Sequence, residues 1–122
     1  NRYLAGVTEV ALKSFYSDKT NWRSMLKNLQ DHNIDLEEEK WKCHDLLPSD
    51  LQQYFVENDD IIELNYPVSH YPEKITSLNL EKQENISGIL TGIKGQYLMF
   101  DEHYVFNVRR HTSFEIEMIT NG

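Results

Sequence analysis

The chain has 122 residues, 39% hydrophobic and 26% charged, with a net charge of −8, which is room for one ordinary domain or two small lobes sharing a core. Residues 1–59 hold 7 basic and 11 acidic side chains and residues 60–122 hold 5 and 9, so each half stands at −4; the field repels nucleic acid and anionic membranes except at a local basic patch. One cysteine, Cys43, excludes an internal disulfide and a multi-cysteine zinc site, and no apolar run approaches the ~20 residues of a membrane-spanning helix.

The first half reads helical. Leu4, Val7, Ala11 and Phe15 follow the spacing of one helix stripe, so a helix is expected from Leu4 to about Tyr16. The chain opens at Asn1 inside that pattern and without a methionine, which suggests a fragment or processed form whose first helix has lost a packing partner or its N-cap. Thr20 or Asp18 should cap a second helix with the stripe Trp22, Met25, Leu26 and Leu29. Asp35 and Glu38 form a capping box for a third, lined by Leu36, Cys43 and Leu47, with Cys43 expected as a buried, inert thiol. Trp41 points about 140° away from that stripe and calls for a second contact, for which the other lobe is the expected source. Pro48 and Ser49 begin a short fourth helix with Leu51, Tyr54 and Phe55.

At residues 57–60 the period changes. Ile62, Leu64 and Tyr66 alternate with Glu63 and Asn65 as in a strand. Residues 75–80 make another, and Phe114, Ile116 and Met118, alternating with Glu115 and Glu117, make the cleanest. Between them, pairing Phe100 with Tyr104 sets Leu98 opposite Phe106, Tyr97 opposite Asn107, Met99 opposite Val105 and Gly95 opposite Arg109. The expected fold is α+β: a helical lobe over residues 1–59, then a small antiparallel sheet or partly closed barrel over residues 60–122.

That register assigns Leu98, Phe100, Tyr104 and Phe106 to the core and leaves Tyr97, Asn107, Arg109 and His111 on one exposed face, with Lys94 adding charge nearby. A ring for stacking, an amide for base edges and a fixed cation for phosphate are what a single-stranded nucleic-acid platform needs. The competing reading is an ordinary solvated sheet face. The histidines (His32, His44, His70, His103, His111) have no i, i+3 or i+4 pairing, and His44 and Asp45, being adjacent, should diverge on a helix, so they read as surface residues. Glu37, Glu38 and Glu39 fan around a helix and read as a solvated face.

The strings NRYLAGVTEVALKSFYSDKTNWRSMLKN, ELNYPVSHYPEKITSLNL and GIKGQYLMFDEHYVFNVRRHTSFEI resemble a bacterial family, the domain of unknown function numbered 2797, over nearly the whole chain. Members of the family look to be about twice this length, with paired cysteines of zinc-binding appearance and a strand-rich segment in front, so the resemblance implies the C-terminal part of a longer protein; the acidic composition and the lack of an apolar span suggest a cytoplasmic protein without a membrane partner. The missing front is itself similar to the start of the GIY-YIG nuclease fold. By that analogy Glu9, in AGVTEVALKSF, matches a glutamate that binds a divalent metal, while the present residues complete no catalytic site and need no cofactor. Three functions are therefore open: a binding module for nucleic acid, a piece of a metal-dependent nuclease, and a protein-interaction domain.

Overall fold

The computed structural model describes residues 1–121. The elements are α1 (Arg2–Leu12), α2 (Trp22–Leu26), α3 (Leu36–Leu46), α4 (Ser49–Gln52), β1 (Thr76–Leu78), β2 (Leu90–Lys94), β3 (Tyr97–Phe100), β4 (Tyr104–Asn107) and a 3₁₀ turn, Val108–His111. The chain forms two compact units, one of residues 1–25 and 29–64, the other of residues 26–28 and 65–122. The α+β class holds.

In the helical unit, side-chain caps set where helices start. Asn1 accepts the Leu4 N–H at 3.0 Å and caps α1, so the cap thought to be missing is present. Asn21, rather than Thr20 or Asp18, caps α2 through the Ser24 N–H at 3.1 Å. Asp35 caps α3 through the Glu38 N–H at 3.0 Å, the expected half of a capping box. α1 stops at Leu12, short of the expected end, and Phe15 is exposed. Cys43 is half-buried rather than enclosed. Trp41 finds its contact within its own unit: its ring lies 5.0 Å from Phe55, and its indole N–H donates to Asp59 at 3.3 Å. Lys40 binds the other oxygen of Asp59 at 2.7 Å, so one carboxylate ties α3 to the segment after α4. His44 and Asp45 do not diverge; the ring nitrogen Nδ1 sits 2.9 Å from the carboxylate.

The second unit is built on an open sheet of order β1-β4-β3-β2. The β3–β4 register matches the expected one from Tyr97–Asn107 to Phe100–Tyr104. The sheet is mixed, not antiparallel throughout, because β1 runs parallel to β4 with Thr76 beside Tyr104, and it is not closed into a barrel. Gly95 has φ +59° in the two-residue turn between β2 and β3, a conformation that costs a side-chain-bearing residue more than glycine. At Gly92 a Cβ would meet Val68 and Met99 at 2.9 Å, so the absent side chain lets the 67–69 segment close over the edge of β2.

The faces of the sheet are reversed from the expectation. Tyr97, Met99 and Val105 are buried, as is Lys94 beside them in β2. Leu98, Phe100 and Tyr104 are only half-buried, and Phe106 alone on that side is enclosed. Both faces carry apolar residues, so alternation set the period without choosing the inner side. Two expected strands are irregular. Residues 61–66 and 114–118 have no ladder partner among the described residues, and Ile62, Leu64 and Met118 are exposed.

Of the α2 stripe, Leu26 has no exposed area, whereas Leu29 is exposed and Trp22 is half-buried. Leu26 groups with the sheet unit. Leu26→Ala should therefore lower stability by about 2–5 kcal/mol, measured as a fall in denaturant midpoint, and by more than Leu29→Ala. Equal, small losses would place the anchor elsewhere.

The Asp59 pair predicts a pH effect. The Lys40 ammonium, and secondarily the Trp41 N–H, hold the Asp59 carboxyl below its ordinary value of 3.8. The folded value is the lower one, so the contribution is complete above the unfolded value and is lost as pH falls through the folded value. Asp59→Asn should flatten the acid side of the stability profile below about pH 4 and leave its shape near neutrality unchanged, as read from denaturant midpoints across acid pH.

Candidate functional site

Asn107 decides the geometry at the end of β4. Its backbone is still extended (φ −87°, ψ 100°), but its side-chain oxygen accepts the Arg110 N–H at 3.3 Å and starts the 3₁₀ turn. The strand alternation thus stops at Asn107. Arg109 does not sit opposite Gly95; the residue across from the hairpin is Val108, whose N–H donates to the Gln96 carbonyl at 2.9 Å. Asn107 also receives a hydrogen bond from Gln96 Nε2 at 3.0 Å. It therefore acts as a cap and an anchor for Gln96, instead of an open base-reading amide.

His111 closes the turn and is buried, 3% exposed, contrary to the exposed position expected for it. Its ring stacks on Phe106 at 4.5 Å and 18° and meets Phe114 edge-on at 5.4 Å. Nδ1 lies 2.8 Å from the Asn107 carbonyl, which can only accept, so Nδ1 carries the proton. Nε2 then accepts the Leu80 N–H at 3.3 Å. One imidazole thus joins β4, the turn after β1 and the 111–114 turn.

Tyr97 and Lys94 lie on the other face. Tyr97 is 8% exposed, so its ring offers no stacking platform. Lys94 is 7% exposed; its ammonium bonds Asn28 Oδ1 at 3.3 Å and stands 4.9 and 5.1 Å from the rings of Tyr66 and Tyr71. Burial pushes its pKa down. It serves the interior of the unit and adds nothing to an exposed patch.

What remains of the expected surface is a groove of about 460 Å³ beside the 3₁₀ turn. Leu98, Val108, Phe114 and Ile116 form its apolar side, and Gly95, Gln96, Arg109, His111 and Thr112 form its polar side. Arg109 is exposed and pairs with no carboxylate among the described residues. Arg109, His111 and Gly95 are thus brought together, though not as a flat sheet face. Phe114 and Ile116 were missed because residues 114–118 read as a strand, and Gln96 and Thr112 because they lie in turns outside the strand alternation; the available signal was Asn107, a strong capping residue placed before a run of four.

A second groove of about 500 Å³ lies at the start of α3, between Asp35, Glu38, Trp41 and Asp45. Its carboxylates oppose an anionic ligand. Glu38 and Glu39 both bind Lys42, at 3.0 and 2.9 Å, and Glu39 also accepts the Tyr16 hydroxyl at 3.0 Å, so these glutamates hold the helix surface together. Glu9 is exposed on α1. Among the described residues, no three histidine, cysteine, aspartate or glutamate groups are placed to hold a metal ion, and no helix is long and apolar enough to cross a membrane.

The fold and this groove define a small α+β chain whose sheet unit carries a surface groove beside Arg109, which pairs with no carboxylate among the described residues. The chain belongs to the family described as a protein of unknown function, DUF2797, whose model matches residues 1–116. No curated protein and no solved structure matches it.

His111 should govern the groove through its neighbours. His111→Phe keeps the stack on Phe106 but leaves the Leu80 N–H and the Asn107 carbonyl without their partner, which costs about 1–3 kcal/mol. His111→Ala should cost more, since it also opens a cavity beside Phe106. Chemical denaturation of both variants checks the order; an unchanged midpoint in His111→Ala would remove the residue from the core.

Proposed function

We propose that the chain is a binding module and that its ligand site is the groove beside Arg109, with single-stranded nucleic acid as the class of partner. One observation carries this reading. An exposed arginine, Arg109, without an ion pair among the described residues stands next to an apolar wall that ends in a partly exposed ring, Phe114. Phosphate on a guanidinium and a base on an aromatic face is the usual division of labour in single-strand binding. Phe114 supplies the stacking face that the buried Tyr97 ring does not, and Gln96 supplies the amide that Asn107 commits to capping the 3₁₀ turn.

The net charge of −8 opposes the encounter, so binding should be modest and fall with salt. Labelled single-stranded RNA and DNA titrated at low salt should raise fluorescence anisotropy. Arg109→Ala should weaken binding and reduce the salt slope by about one, with the circular dichroism spectrum unchanged. No anisotropy change with wild-type protein would overturn the reading.

A protein-interaction domain is the second reading. It is favoured by Ile61, Ile62 and Leu64 in one segment and Met118 and Ile119 in another, all large, apolar and exposed. The nuclease alternative rests on Glu9 alone, which has no second acidic or histidine ligand grouped with it among the described residues.

A further inference from the structure

We infer that the groove beside Arg109 holds a single nucleotide, phosphate on Arg109 and base against Phe114, and is not part of a continuous path for a strand. This rests on the nucleic-acid reading of the groove and narrows it. Three features of the sheet unit point the same way. The first is the distribution of cations. Residues 60–122 contain five basic side chains, Lys74, Lys82, Lys94, Arg109 and Arg110, and of these the groove lining includes Arg109 and none of the others. Lys94 is buried, so it neutralises no phosphate. Phe114 and Ile116 of the apolar wall alternate along the chain with Glu115 and Glu117, which make this segment net negative. A strand-binding channel tracks the backbone with repeated positive charge. Here a second phosphate along that segment would approach glutamates instead.

The second feature is size. The groove, at about 460 Å³, falls in the ~300–1,000 Å³ range of small-ligand sites. It suits one base with its sugar and phosphate.

The third is preorganisation. Phe114 is braced by His111, whose ring is itself fixed by Phe106, Asn107 and Leu80. Its remaining exposed surface is therefore a set stacking face. Gln96 donates one N–H to Asn107 Oδ1, which leaves its second N–H and its carbonyl oxygen together for a base edge. That donor–acceptor pair matches the complementary pair on a base such as adenine. The Thr112 hydroxyl lines the same side.

The test uses the full chain and ¹H–¹⁵N spectra recorded during titration with AMP, UMP, inorganic phosphate and a labelled single-stranded oligonucleotide. The expected result is that AMP shifts the amides of Gly95, Gln96 and residues 109–114, with an affinity roughly tenfold above that of phosphate, the gain from stacking one base. Phe114→Ala should bring AMP down to the level of phosphate, and Arg109→Ala should weaken both. The spectrum of each variant shows whether it is folded. Gln96→Leu, which removes the donor and acceptor without adding charge, should reduce AMP binding and leave phosphate binding less affected. If the oligonucleotide binds at these amides and neither AMP nor UMP does, the single-nucleotide inference is overturned and the nucleic-acid reading stands. If AMP binds and the oligonucleotide does not, the nucleic-acid reading falls and the single-nucleotide site stands. Equal shifts from phosphate and AMP, or no shifts from any ligand, overturn the inference.

Discussion

The hydrogen bond from the Arg110 N–H to the Asn107 side chain sets most of what the sheet unit shows to solvent. Without that cap, residues 108–111 would continue as an extended strand and place Arg109 and His111 on one face. With it, the backbone tightens into one 3₁₀ turn, and Arg109 and His111 line one groove at different depths. His111 swings under the turn and stacks on Phe106; Arg109 is left outside. The same Asn107 side chain holds Gln96, and its carbonyl holds His111. One residue thus orients both polar ends of the groove. This is the usual economy of a capping residue, which satisfies orphan backbone groups and fixes the direction of the chain.

The two units solve the burial problem differently. The helical unit has short helices and encloses few side chains; Leu51 is its buried apolar residue. Its cohesion comes from the Trp41, His44 and Phe55 cluster and from the Asp59 carboxylate shared by Lys40 and the Trp41 indole. The sheet unit encloses Leu26, Met99 and Val105 completely or nearly so. It also encloses Lys94, whose charge is met by the rings of Tyr66 and Tyr71 and the amide of Asn28. An ammonium in that setting is tolerable because aromatic faces and an amide oxygen replace part of its hydration.

Much of the local order was legible in the residues. Gly95 marks one hairpin turn and residues 101–103 the other, and the apolar alternation gave the right partners from Tyr97 to Tyr104. Asp35 announced the start of α3. The side of the sheet that faces inward was not legible. Leu98, Phe100 and Phe106 on one side are as apolar as Tyr97, Met99 and Val105 on the other. The choice is made by remote segments, with Val68 closing on Gly92 and Tyr66 and Tyr71 enclosing Lys94. Alternation also over-reported strands. Residues 61–66 and 114–118 have the right period, but a strand needs a neighbour for its backbone as well as a face to bury. The groove was half visible, through Gly95, Arg109 and His111. Its other half depends on Asn107 acting as a cap, which a two-residue period conceals.

The parallel pairing of β1 with β4 bears on the order in which the sheet assembles. Lys94 meets Tyr97, and Phe100 meets Tyr104, across tight turns, so β2, β3 and β4 can zip together from local encounters. Thr76 must reach Tyr104 from much farther along the chain, and closing that longer loop carries a larger entropic toll. β1, only three residues long and at the sheet margin, is thus the late arrival on folding and the first to peel away in a native-state fluctuation. Leu80, two residues past its end, gives its N–H to His111. Each excursion of β1 therefore slackens the imidazole that braces Phe114, and the breathing of a marginal strand is transmitted to the stiffness of the groove at the C-terminal end of β4.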